Sequence, residues 1–253
     1  MAAGIQELIP NPDQACPQRI LHFQQKVGSL LYATVITRPD VAKTANKLSE
    51  YLCNPSKKHI EVIDRAIGYL YGTKMYAIEY DGRTKGDEIF LCASDAAFAD
   101  NQVDRKSSEA YLCKLFGGPI DWRASKQKTV TISTTEAELL AVSEAGKQLF
   151  WWKRLFDAIG FDPEHDLSIK CDNQQKIDLL TNEKSRFKTK LRHVHHWLRQ
   201  EVQAKRVRIE WCPTAKMPAD GLTKQLSRQR HERFVQMLGL VNLQSALADG
   251  YVC

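Results

Sequence analysis

The sequence predicts an α/β fold, a mixed five-stranded sheet with flanking helices, preceded by a small helical segment. Three observations predict it. Apolar residues recur at helical spacing through the first third of the chain, the period shortens towards two near residue 77, and three strand patterns are then followed by alternating helices and strands. At 253 residues the chain suffices for one large domain with an appendage.

Residues 1–20 hold Pro10, Pro12 and Pro17 without sustained periodicity and are expected to form a flexible leader. From 21 to 76 the pattern is helical: Ala42, Ala45, Leu48 and Leu52, then, after the Asn54-Pro55 break, Val62, Ala66 and Leu70. Strands are expected across Ala77 to Asp95, around the turn Asp81-Gly82-Arg83, at Ala110 to Phe116 and at Ile120 to Ala124. The strongest helix follows, with Thr135 as N-cap, Glu138 completing a capping box, and a buried stripe of Ala141, Ala145, Leu149, Trp152, Phe156 and Ile159 before Gly160. A strand Leu167 to Cys171, a short helix Gln174 to Leu180, a basic helix Arg192 to Ala204, a strand Val207 to Trp211 and a helix from about Pro218 complete the pattern. The expected units are thus a leader (1–20), a helical segment (21–76), an α/β domain (77–226) and a C-terminal helix and tail (227–253).

Composition narrows the function. Hydrophobic residues at 43% and charged residues at 26%, with only 13 Gly and 9 Pro, exclude collagen-like and wholly disordered chains. The longest apolar stretch, Leu30 to Ile36, falls far short of the roughly 20 residues of a bilayer span, so no membrane partner is expected. Met1 to Ile20 contains a single basic residue, Arg19, and no apolar core, so the expected location is intracellular, cytoplasmic or nuclear. Seven scattered cysteines without a CxxC pair read as reduced core thiols. Net charge is +6, and between Lys184 and Glu210 nine basic residues meet two acidic ones. Such a run suits either a solvated face or a polyanion such as nucleic acid.

Four acids fall at the ends of the expected elements: Asp95, Glu138, Asp172 and Asp220. Carboxyl ends of neighbouring parallel strands form a natural crevice, and two Asp residues there could gather with a Glu and an Asp from helices. Crowded carboxylates repel unless cations intervene, and hard oxygen donors suit Mg²⁺ or Mn²⁺. Two such ions about 3.5 to 4 Å apart would serve in-line phosphodiester cleavage. Each acid alone also reads as a turn or helix-end residue. His193, His195 and His196 lack further convergent ligands. Trp152 reads as core rather than as a stacking platform.

Six blocks carry a family resemblance: Ser94-Asp95-Ala96, Arg105-Lys106-Ser107-Ser108, Gly117-Gly118-Pro119-Ile120-Asp121-Trp122 with Ser125-Lys126-Gln127, Ser133-Thr134-Thr135-Glu136-Ala137-Glu138, Cys171-Asp172-Asn173-Gln174 and Ala219-Asp220-Gly221-Leu222-Thr223-Lys224. Together they resemble the ribonuclease H domain of copia-type retrotransposon polyproteins. Upstream, Gly28 to Tyr32, Thr37-Arg38-Pro39-Asp40 and Tyr71-Gly72-Thr73 resemble the segment joining that family's polymerase to its ribonuclease H. The resemblance implies a ribonuclease H-like fold whose four acidic metal ligands are Asp95, Glu138, Asp172 and Asp220, with Glu138 favoured over Glu136. It implies two Mg²⁺ ions, with Mn²⁺ as an alternative, cutting RNA paired to DNA to leave a 5′ phosphate. The expected hybrid-binding residues are Arg105, Lys106, Ser107, Lys126, Asn173, Lys188, Lys190 and Arg192. The family's acid shortly after the first ligand is replaced here by Ala97 and Phe98.

Two function classes follow. One is a metal-dependent ribonuclease acting on RNA/DNA hybrids, with a separate reverse-transcriptase polymerase chain as a further partner. The other is an inactive remnant that keeps the fold and nucleic-acid binding, since the chain opens at Met1 within such a polyprotein frame. No adjacent pair of aspartates occurs, so polymerase activity is not expected. An integrase or transposase would place its Glu last rather than second.

Overall fold

Why the chain divides where it does is visible in a computed structural model that describes residues 8–82, 89–164, 166–181 and 192–244. Residues 80–223 form one compact unit, and residues up to 79 together with those from 224 onward form another. The C-terminal helix therefore joins the helical segment instead of standing apart.

The helical unit contains α1 (Pro17–Ile36), α2 (Ala42–Ser49) and α3 (Lys57–Gly72). Pro17 occupies the first helical position, where its fixed φ suits the helix and its missing N–H costs nothing. Phe23, Val27 and Leu30 of α1 meet Ala45 and Leu48 of α2 and Val62, Ile63 and Ala66 of α3 in one core. Residues before α1 are tied to it: Leu8 is buried, its carbonyl accepts the Tyr51 hydroxyl at 2.7 Å, and the Ala15 N–H donates to Asn54 Oδ1 at 2.9 Å. That anchoring was not expected of a leader.

Between α1 and α2 a buried ion pair replaces apolar packing. Arg38 donates to both carboxylate oxygens of Asp40, at 2.9 and 2.8 Å, and the Tyr69 hydroxyl donates to the same carboxylate at 2.7 Å. Arg38 also donates to the Thr73 carbonyl and hydroxyl, so the pair is hydrogen-bonded throughout, as a buried pair must be to be tolerated. Strand β1 (Tyr76–Ile78) pairs antiparallel with a C-terminal strand, Leu240–Asn242, which follows the helix Arg228–Leu238. The period-two signal near residue 77 thus belongs to the helical unit, not to the main sheet.

The second unit carries that sheet: β2 (Phe90–Ala97), β3 (Ser108–Leu115), β4 (Gly118–Lys126), β5 (Ser168–Cys171) and β6 (Arg208–Trp211), in the order β4-β3-β2-β5-β6. The first three pair antiparallel and β2-β5-β6 pair parallel, giving the mixed five-stranded sheet with flanking helices that was expected. β3 and β4 are joined by Phe116 and Gly117, both at positive φ (49° and 83°), the backbone of a two-residue hairpin whose twist suits its strands.

Helix α4 (Thr134–Ile159) covers one sheet face through Ala141, Val142, Ala145, Leu149 and Phe156, each buried. Each large apolar side chain so buried contributes about 1.5–3 kcal/mol. Gly160 ends the helix in the left-handed region at φ 69°. Ile159, expected in the buried stripe, is 65% exposed. Trp152 packs on the core, and its indole N–H donates to Asp121 at 3.3 Å. Helices α5 (Gln174–Thr181) and α6 (Arg192–Gln203) follow, and Gly146 of α4 lies where an added Cβ would stand 3.0 Å from Leu198 of α6. The expected single helix after Pro218 is two: α7 (Asp220–Thr223), and α8 (Arg228–Leu238) in the other unit. Among the described residues no helix is long and apolar enough to cross a membrane.

Candidate metal centre

Strand register builds the site. Ala93 of β2 pairs with Lys170 of parallel β5, so Asp95 and Asp172, each two residues further along, arrive at the same level beyond the paired segment. Glu138 approaches from α4. One carboxylate oxygen from each of Asp95, Glu138 and Asp172 lies within 4.8 Å of the others. Asp95 is fully buried, Glu138 is 9% exposed, and Asp172 is half-buried.

The α4 N-terminus decides which glutamate enters. Ser133, not Thr135, is the N-cap, its hydroxyl accepting the Glu136 N–H at 3.1 Å. Glu136 turns back to accept the Ile132 N–H at 2.7 Å. It is thereby committed to the helix end, while Glu138 faces the other acids. Gln127 at the end of β4 donates to the Ala137 carbonyl at 2.8 Å, pinning the turn from which Glu138 projects.

Neighbouring hydroxyls orient two of the acids. Thr214 donates to Asp172 Oδ2 at 3.1 Å, and Thr223 donates to Asp95 Oδ2. Cys212 N–H bonds the Cys171 carbonyl at 2.8 Å, carrying the strand pairing up to Asp172. Burial holds the Cys212 thiol above its usual range, so it stays protonated beside this acid. Asp220, half-buried at the start of α7, is outside the three-acid cluster but one turn from Thr223.

The donor set fits a hard divalent cation: three carboxylates converge, two of them buried. Two negative charges at this spacing repel by on the order of 3 kcal/mol at an effective dielectric of ~20, a cost that a cation reverses.

The expected nucleic-acid contacts divide. Ser107 is fully buried; its hydroxyl accepts the Ala99 N–H at 3.0 Å and lies 2.9 Å from that of Thr131, so it stitches two loops and presents nothing to a ligand. Lys126 and Lys106 both approach Asp104, at 3.0 and 3.9 Å. Arg105 is exposed at φ 56°, and Asn173 follows Asp172 directly. Lys188 and Lys190 lie outside the described residues, as do the side chains of Arg192, His193, His195 and His196. Within the basic run, Arg206 is paired with Glu201, and Arg208 lies 3.7 Å from Asp166 and 3.6 Å from Glu210, so part of that charge is answered locally. Thr214 and Thr223 were not among the residues expected at the site. Thr223 stood within a recognised block, whereas Thr214 carried no signal.

No protein-family model matches the chain. It is 36% identical over 221 residues to the retrovirus-related Pol polyprotein from transposon TNT 1-94 of Nicotiana tabacum, covering 86% of this chain and 16% of that polyprotein. Against the retrovirus-related Pol polyprotein from transposon RE2 of Arabidopsis thaliana it is 34% identical over 249 residues, covering 93% and 17%. The chain thus spans about one sixth of the length of these curated relatives. Among solved structures, LC11-RNase H1 isolated from compost aligns with 53% of this chain and 92% of its own, at a TM-score of 0.41 and 11% identity.

Proposed function

We propose that this chain, a homologue of the retrovirus-related Pol polyproteins of plant transposons, is a copia-type ribonuclease H that hydrolyses the RNA strand of RNA/DNA hybrids. The observation that carries the reading is the convergence of Asp95, Glu138 and Asp172 at the carboxyl ends of parallel strands. These three acids, with Asp220, would hold two divalent cations, Mg²⁺ or Mn²⁺. When bound, the ions supply an activated water and stabilise charge on the leaving oxygen.

The chain's own residues prepare that chemistry. Asp95 is rigid because it sits on the central strand, and Glu138 is rigid because Gln127 and Ser133 fix the start of α4. Arg105, Lys106, Lys126 and Asn173, with Lys188, Lys190 and Arg192 of the basic run, hold the phosphates of the hybrid. Ser107 supports this surface from beneath by joining two of its loops. RNA is told from DNA by its 2′-hydroxyls in the wide minor groove, so duplex DNA is left uncut. Polymerisation would fall to a separate polymerase chain, and the site of action is intracellular, in cytoplasm or nucleus, where hybrids form.

The test is cleavage of a labelled RNA/DNA hybrid by two variants. Glu138→Gln abolishes it, whereas Glu136→Gln, which alters only the helix end, retains most of it. Equal loss in both would refute the assignment of Glu138, and a wild-type chain that binds hybrid without cutting it would be the inactive remnant.

A further inference from the structure

We propose that Thr223 is a positioning residue for the acid cluster: its hydroxyl fixes the rotation of the Asp95 carboxylate and ties to it the short helix that opens with Asp220. What the cluster then does rests on the ribonuclease H reading; the positioning itself does not.

The segment from Cys212 to Thr223 lies along one face of β2. Ala93 packs with Cys212, Met217 and Ala219. Strand alternation puts Asp95 next on that face, and there Thr223 meets it. Both residues are buried, Asp95 fully and Thr223 almost so. Thr223 Oγ1 is also 3.2 Å from the Asp220 carbonyl oxygen. A hydroxyl has one proton to give, and the charged acceptor takes it.

Two consequences follow. A carboxylate crowded by two others would rotate away from them unless held, and a buried donor holds it. The contact also binds α7 to the central strand, so that the backbone of Asp220 keeps a set distance from Asp95. Leu222, fully buried, anchors the same turn by packing. Val and Ser at this position separate the two contributions: Val keeps the volume and loses the proton, Ser keeps the proton and loses the methyl.

The experiment measures Mg²⁺ binding to the full chain by titration calorimetry, beside hybrid cleavage. Thr223→Val is expected to weaken Mg²⁺ binding about tenfold, the size of one lost hydrogen bond to a charged group. It should also lower kcat while leaving KM for hybrid unchanged. Thr223→Ser should restore Mg²⁺ binding to within about threefold of wild type. Wild-type Mg²⁺ affinity in Thr223→Val would overturn the proposal, as would a Ser variant as weak as Val, which would make the methyl the essential part. If Thr223→Val weakens Mg²⁺ binding but no protein, wild type included, cuts hybrid, the positioning role stands and the ribonuclease H reading falls. If wild type cuts hybrid and Thr223→Val matches it in both measurements, the positioning role falls and the reading stands. A wild-type chain that takes up no Mg²⁺ overturns both.

Discussion

Among the described residues, buried acids stand in two places and are treated in opposite ways. In the helical unit, Asp40 is met by the Nε–H and an Nη2–H of the Arg38 guanidinium and by the Tyr69 hydroxyl. In the sheet unit, Asp95, Glu138 and Asp172 converge on one another, with hydroxyls of Thr223 and Thr214 at their edges. The first arrangement is complete within the protein and holds a fold together. The second concentrates like charge where a cation would complete it, which a fold alone would not favour. The Tyr69 phenol belongs to the first kind: burial and then the adjacent Asp40 charge push its pKa well up, so it remains a donor at any working pH.

The largest effect is expected at the acid cluster. Asp172→Asn keeps the side-chain volume and removes one of the proposed anionic ligands, and hybrid cleavage should fall by at least about a hundredfold while folding survives. Full activity at ordinary Mg²⁺ would remove Asp172 from the ligand set. Next in size is Asp40→Ala, which leaves a buried guanidinium uncompensated and should cost about 3–5 kcal/mol in denaturant unfolding of the helical unit. Replacing Arg38 and Asp40 together by apolar residues should cost much less, because no charge is then stranded.

A smaller effect has the opposite sign. In metal-free buffer Glu138→Gln relieves repulsion and should raise the unfolding free energy of the sheet unit by about 1 kcal/mol, where Asp40→Asn lowers that of the helical unit. Matching losses in both variants would erase the distinction.

A further effect is a pH slope. Burial pulls the His59 imidazole down from 6.5 to about 4. Its folded state favours the neutral ring, so the stability it contributes is fully present above pH 6.5 and is lost as pH falls towards 4. His59 caps α3 by accepting the Ser56 N–H at 2.8 Å, a task Gln can perform without titrating. Thermal unfolding of His59→Gln should therefore decline less steeply over that range, and an identical slope would place the dependence elsewhere.

Much of this was legible in the sequence because it is local. Gly160 ends α4 because a residue without Cβ takes the left-handed conformation freely, and the four acids stand at or near the ends of elements that period and turns mark out, Asp95 two residues before the end of β2. What was not legible depends on choices made in three dimensions. Ser133, Thr134 and Thr135 can each cap a helix, and the reach of Glu136 back to Ile132 selects the first. Tyr76 to Ile78 alternates like any strand, yet its partner is more than 160 residues away at Leu240 to Asn242. Ser107 sits in a basic block that reads as a ligand surface, and only burial shows its hydroxyl turned inward. Thr223 meets Asp95 across 128 residues, a separation that no spacing rule reaches.

The role proposed for the converging acids is a metal-dependent cut of RNA in a hybrid. One measurement addresses it most directly: purified wild-type chain incubated with end-labelled RNA paired to DNA, in Mg²⁺ and again in excess chelator. RNA fragments are expected in Mg²⁺, none in chelator, and an intact DNA strand in both. Cleavage that persists in chelator, or an RNA strand left whole at every Mg²⁺ and Mn²⁺ concentration, would contradict it.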